Sequence, residues 1–156
     1  MIFSIFFWLL IMLSIGLSVM IARADFRRRI IPDAYLFPLM LTGLLLIAFF
    51  DWPHDIATAA IGGAFGYGLA AITGFAFDYY IRHRDSAAPA PIGMGDIKLL
   101  GVGGIWLGTG GLAVALIIAC ISGMIWARVR GVRFIPFAPF FLLGAFFSLL
   151  SLAFSL

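Results

Sequence analysis

The 156-residue chain has no glutamate and a single cysteine, and only 11% of its residues are charged. Each scarcity excludes something. With Cys120 alone, no disulfide, cysteine-ligated zinc site or CxxC redox pair can form within one chain. Set in an apolar run, Cys120 reads as a small buried apolar side chain. Without glutamate, every acid-dependent step falls on seven aspartates, at 25, 33, 51, 55, 78, 85 and 96. The two histidines, His54 and His83, lie in polar stretches expected on opposite sides of a membrane. They offer neither a serine–histidine pair nor a shared metal site. The low charge itself excludes an ordinary soluble domain, which carries about a quarter of its residues as Asp, Glu, Lys or Arg.

What is abundant is apolar: 64% of the residues are hydrophobic and 16% aromatic. The expected class is an all-α, polytopic membrane protein in one domain, 1–156, with about six transmembrane helices. Segment 1–22 is apolar and is followed by Arg23, Arg27, Arg28 and Arg29. A signal peptide carries its positive charge before the apolar run, so this segment reads as a retained anchor with its N-terminus outside. Residues 35–50 and 56–77 supply the second and third helices, and Gly62, Gly63, Gly66 and Gly68 would permit close helix contacts in the third. The run 97–127 is too long for one span of ~20 residues. The glycines of "GTGG" (108–111) divide it, giving a short fourth helix at 97–107 and a fifth beyond. Residues 134–154 form the sixth.

In that layout all ten Lys and Arg fall after helices 1, 3 and 5, or at their edges, and the opposite side receives none. This is the positive-inside pattern. It accounts for the net charge of +3 through topology, without nucleic acid as a partner. The partner it requires is the lipid bilayer.

Among the aspartates, 51 and 55 fall in an outer turn and 78 and 85 in the central polar stretch, where solvation explains them. Asp33 follows Pro32 at the start of helix 2, a position that suits capping of free N–H groups. Asp96 opens helix 4 and could do the same. Asp25 ends helix 1, where the helix dipole disfavours an anion. Arg27 to Arg29 could neutralise it as a surface ion pair. Taken together, Asp25 and Asp96 reach one membrane boundary from different helices. Two carboxylates close together in a low-dielectric site share a proton. Such a pair can activate water with one member and protonate a carbonyl oxygen with the other. Intramembrane carboxylates also serve proton or cation transport, and a small transporter or assembly subunit using the same aspartates is the alternative.

Three stretches resemble a known family. "GMGD" (93–96) followed by Lys98 matches the GxGD-x-K signature of the type IV prepilin peptidases. "ADFRRRIIPD" (24–33) is similar to their other aspartate signature, and "IPFAPF" (135–140) to the proline-bracketed motif that opens their last helix. The resemblance implies an aspartic endopeptidase of the bacterial inner membrane. Its partner would be a prepilin or pseudopilin helix, cut after a glycine at the cytoplasmic face, with no cofactor and no metal. By position it makes Asp25 and Asp96 the catalytic pair. Gly93 and Gly95 would shape the approach to Asp96, and Lys98, Arg27, Asp33 and Pro32 occupy supporting motif positions. The larger relatives carry paired CxxC motifs and also N-methylate the pilin. A chain with one cysteine that starts directly in helix 1 is similar instead to the short, peptidase-only branch that processes Flp-type pili. Methyltransferase activity is not expected.

Overall fold

The computed structural model describes residues 2–83, 92–132 and 135–155. Arg84 and Arg133 of the charge pattern, Asp85 of the central polar stretch and residue 134, where the sixth helix was expected to begin, lie outside the described residues. Five helical elements follow in order: α1 (Ile2–Arg28), α2 (Asp33–Phe50), α3 (Ile56–Arg82), α4 (Met94–Arg130) and α5 (Phe137–Ser155). The first four are long and apolar enough to cross a membrane, and α5 is a shorter apolar helix. Among the described residues there is no strand.

The fourth element contains the expected break. Gly108 has φ 64° and ψ −176°, outside the helical region, and divides α4 into limbs 94–107 and 109–130. A side chain with a Cβ is strained at that φ, so the first glycine of "GTGG" is the one that makes the turn. The short first limb is the short fourth helix read from the sequence, and the second limb is the fifth. Non-helical backbone at membrane depth must be covered by protein, and Thr58 of α3 and His54 of the α2–α3 connection stand against Gly108.

Several boundaries differ from the sequence reading. Helix α1 runs beyond residue 22 to Arg28, because nothing between 22 and 28 breaks a helix. It ends where Arg29 turns to φ 53° and its N–H donates to the Asp25 carbonyl at 2.9 Å. Helix α3 likewise continues past residue 77. Asp78, expected in a loop, sits on its last turns and pairs with Arg82 one turn on at 2.9 Å. Asp55 caps α3. Hydrogen bonds from the Thr58 side chain and from its N–H, the latter at 3.1 Å, hold the Asp55 carboxyl below the usual carboxylate range. Cys120, expected buried, faces outward. It joins a surface rich in large apolar side chains such as Ile72, Phe75 and Val129, which a lipid environment suits.

Helix α4 is the centre of the bundle. It packs most extensively on α3 and then on α5, and also touches α2, while α1 closes the other side against α2 and α5. The α3–α4 contact is made backbone to backbone. A Cβ on Gly62 would collide with the Gly104 carbonyl, one on Gly104 with the Gly62 carbonyl, and one on Gly66 with the Leu100 carbonyl. Small residues allow this approach, and dispersion across it holds helices together where lipid removes the hydrophobic driving force. Gly68, expected to share the role, has nothing near it. On the other flank the Trp106 indole donates to the Leu39 carbonyl at 3.0 Å. Leu39, Leu99, Val102 and Phe141 fill the core around it.

The two classes of glycine make a testable contrast. Gly62→Ala forces α3 off α4 and is expected to destabilise the protein by about 1–3 kcal/mol. Gly68→Ala, which meets open space and improves helix propensity, is expected to be neutral or slightly stabilising. Thermal unfolding in detergent compares them, and equal effects would contradict this packing.

Candidate active site

Asp25 lies three residues before the end of α1, on the face that buries Leu10, Ser14, Leu17 and Ile21. It is 5% exposed. A carboxylate buried among apolar helices is costly unless it finds donors. Asp25 finds one on a distant part of the chain: its Oδ2 accepts the Ala138 backbone N–H at 2.9 Å. Ala138 is the second residue of α5, within the first turn, where N–H groups have no partner inside the helix. The positive end of the α5 dipole therefore points at Asp25. Pro136 and Pro139 bracket this N–H and supply none of their own. Arg29 is also within electrostatic reach of Asp25. Of the surface ion pair considered from sequence, the arginine is kept in Arg29, but the carboxylate is buried and held by the start of α5.

An aromatic cluster fixes the same junction. Phe26, next to Asp25, stands edge-on to Trp126 with ring centroids 5.9 Å apart. Phe140 of α5 lies 5.7 Å from Trp126 and 6.3 Å from Phe26. The end of α1, the end of α4 and the start of α5 are clamped together by three rings.

Asp96 occupies the first turn of α4. The N-cap is Gly93, and no side-chain capping bond is made there. Its own N–H donates to the Gly93 carbonyl at 3.0 Å. Asp96 is therefore not the N-cap residue itself, but its carboxylate reaches back to the Gly93 backbone, so the expected role at the helix start is kept from the third helical position. Its carboxylate folds back beside Gly93, with Oδ2 3.3 Å from where a Cβ would stand. Gly95 faces Ile31, at 3.0 Å from an added Cβ to the Ile31 Cβ. The two glycines thus have separate tasks. Gly93 leaves space for the Asp96 carboxylate, and Gly95 lets the start of α4 seat on the α1–α2 connection. As a result the Asp25 and Asp96 carboxylates come within electrostatic reach of each other.

Lys98 and Asp33 are brought together as well. Lys98 Nζ donates to both carboxylate oxygens of Asp33, at 2.9 and 2.7 Å, and lies 5.8 Å from the centre of the Phe37 ring. The expected capping role of Asp33 is corrected. The N-cap of α2 is Pro32, without a side-chain capping bond, and the Asp33 carboxylate turns to Lys98 instead. This pair ties the start of α2 to the start of α4, two residues beyond Asp96. Arg27 is apart from these groups. It is exposed and faces a groove between α1 and α2.

On the bundle side of the carboxylates lies an apolar cavity of about 130 Å³. Ser18, two turns before Asp25, borders it, as do Leu99 and Gly103, one and two turns after Asp96, and Phe141 of α5. Neither carboxylate lines this cavity, which runs deeper into the bundle to Ser14, Trp106 and Leu149. Among the described residues no three His, Cys, Asp or Glu side chains gather in a way that could hold a metal ion. Sequence reasoning missed the Ala138 N–H and the Phe26–Trp126–Phe140 clamp. The available signals were the spacing of two prolines around a small residue, and aromatic residues at three helix ends expected on one boundary.

Known proteins resemble the chain over most of its length. The model of the type IV leader peptidase family matches residues 4–128. The prepilin leader peptidase/N-methyltransferase of Escherichia coli (strain K12) is 30% identical over 131 residues, covering 80% of this chain and 55% of that protein. Its counterpart in Dickeya chrysanthemi is 30% identical over 123 residues, 76% of this chain and 41% of that protein. Leader peptidase HopD of Escherichia coli is 28% identical over 138 residues, 83% of this chain and 84% of its own. The chain thus spans about half the length of the two N-methyltransferase relatives. No solved structure matches it.

The tie between α2 and α4 can be measured by a double-mutant cycle. Lys98→Met, Asp33→Asn and the double variant are expected to show a coupling of about 0.5–1 kcal/mol in thermal unfolding, modest because both groups are partly exposed. Strictly additive effects would mean that the ion pair does not hold the helices.

Proposed function

The chain belongs to the type IV leader peptidase family, and on that premise we propose that it is an aspartic endopeptidase. It removes the leader peptide of a prepilin or pseudopilin, cutting after a glycine at the cytoplasmic face of the bacterial inner membrane. The observation that carries the proposal is the approach of Asp25 and Asp96. They are delivered from two helices to one boundary, with Asp25 buried and hydrogen-bonded to Ala138. Chain-wide, the bundle is that of a multi-pass membrane protein, so a substrate with an apolar helix can lie beside it in the bilayer.

In the proposed reaction one carboxylate takes a proton from water while the oxygen attacks the scissile carbonyl carbon. The other carboxyl group donates its proton to the carbonyl oxygen, giving a neutral tetrahedral intermediate. Collapse of that intermediate breaks the C–N bond, with a proton passing to the departing amine. Because water is the nucleophile, no acyl-enzyme forms. The hydrogen bond from Ala138 holds Asp25 in a single orientation, and the Lys98–Asp33 pair holds the helix that carries Asp96. HopD, whose length the chain nearly spans, is named for leader peptidase activity alone. That supports limiting the proposal to cleavage, without N-methylation.

The test is co-expression of the chain with a candidate prepilin in membranes, followed by mass spectrometry of the substrate's N-terminus. Asp25→Asn and Asp96→Asn are each expected to lower cleavage by about 10²–10⁴-fold at unchanged protein level. The wild-type pH–rate profile is expected to be a bell whose two limbs belong to the pair. Cleavage that survives either substitution would contradict the dyad. Aspartates that matter for growth while no pilin is cut would favour the transporter reading.

A further inference from the structure

A groove of about 600 Å³ opens between the last turns of α1 and the first turn of α2. Arg23, Arg27 and Arg28 line it, with Tyr35 and the apolar Met20 and Ile30. All three arginines are exposed, and none takes part in an ion pair among the described residues. The positive-inside bias explains why basic residues follow a spanning helix. It does not explain why three guanidiniums share one apolar-walled groove. Like charges one turn apart repel, and the cheapest relief is an anion between them.

The location narrows the anion. Helix α1 is long and apolar enough to cross a membrane, and the groove opens at its C-terminal end, at the level where lipid headgroups lie. Met20, in its lining, and Val19 beside it are exposed apolar residues about one turn before Arg23 on α1. A guanidinium fork matches phosphate oxygens in a bidentate way, and a tyrosine suits the membrane–water interface. We propose that this groove binds the headgroup phosphate of an anionic phospholipid. Arg23, Arg27 and Arg28 hold the phosphate, and Met20 and Ile30 take the first part of the acyl chains. The site depends on the membrane setting and not on the proposed peptidase chemistry.

The experiment is native mass spectrometry of the full chain released from detergent with phosphatidylglycerol and phosphatidylcholine in competition. The expected result is one phosphatidylglycerol retained in preference to phosphatidylcholine. In Arg23→Gln/Arg28→Gln retention should fall by about tenfold or more. In Arg128→Gln/Arg130→Gln, which removes the same charge at the end of α4, it should be unchanged. Equal retention of the two lipids, or an equal fall in both variants, would overturn the proposal. Displacement of the lipid by millimolar inorganic phosphate, or by a short acidic peptide, would assign the groove to a free anion or a protein partner and overturn it too. Should the glutamine pair fail to fold, Arg23→Lys/Arg28→Lys replaces it. Retention is then expected to weaken, because lysine lacks the fork, and retention at the wild-type level would count against the site.

Discussion

A carboxylate inside a bundle of apolar helices must be given a donor, and much of this architecture follows from how Asp25 is given one. The donor is the backbone N–H of Ala138 at 2.9 Å, one of the groups that the start of any helix leaves free. That bond joins the start of α5 to the end of α1, on the face that α1 turns inward. The prolines at 136 and 139 start α5 there and leave few other donors nearby. The Phe26–Trp126–Phe140 cluster keeps the three helix ends from parting. The acid is buried because a helix terminus meets its need, and it keeps its orientation for the same reason.

The second acid depends on a different device. Asp96 is carried by the first limb of α4, which is short because Gly108 ends it. A short limb would be poorly held by lipid alone. Here it is pressed onto α3 through Gly62, Gly66 and Gly104 at backbone contact, and onto α2 through Trp106 and the Lys98–Asp33 pair. Gly95 then lets the limb's first turn rest on Ile31, six residues after Asp25. Two local rules thus converge on one place. Small residues allow close approach from the side, and a free helix end satisfies a charge from above.

Much of this was legible in the sequence, and the residues that were not share a physical cause. Glycine, proline and aspartate are strongly informative in an apolar chain, because each breaks the prevailing chemistry. The break at "GTGG" and the short limb before it could therefore be read directly, and Asp25 and Asp96 stood out as the acids to pair. Which face of each helix points inward could not. In a membrane both the core and the lipid side are apolar, so the helices carry little amphipathic signal. That is why Gly68 looked equivalent to Gly62, and why Cys120 looked buried. Asp33 looked like a cap because its partner Lys98 is distant in sequence. The Ala138 N–H was invisible for a plainer reason: a backbone donor has no letter of its own. Only the tertiary fold shows which of the free N–H groups is used.

The central claim is that the bundle brings Asp25 and Asp96 close enough to act as a pair. The most direct measurement is thiol cross-linking in native membranes with Asp25→Cys and Asp96→Cys combined, in a Cys120→Ser background. The account predicts rapid intramolecular bridging by a short bifunctional thiol reagent, abolished when either new thiol is left out. Bridging only by a long reagent, or only between separate chains, would contradict it.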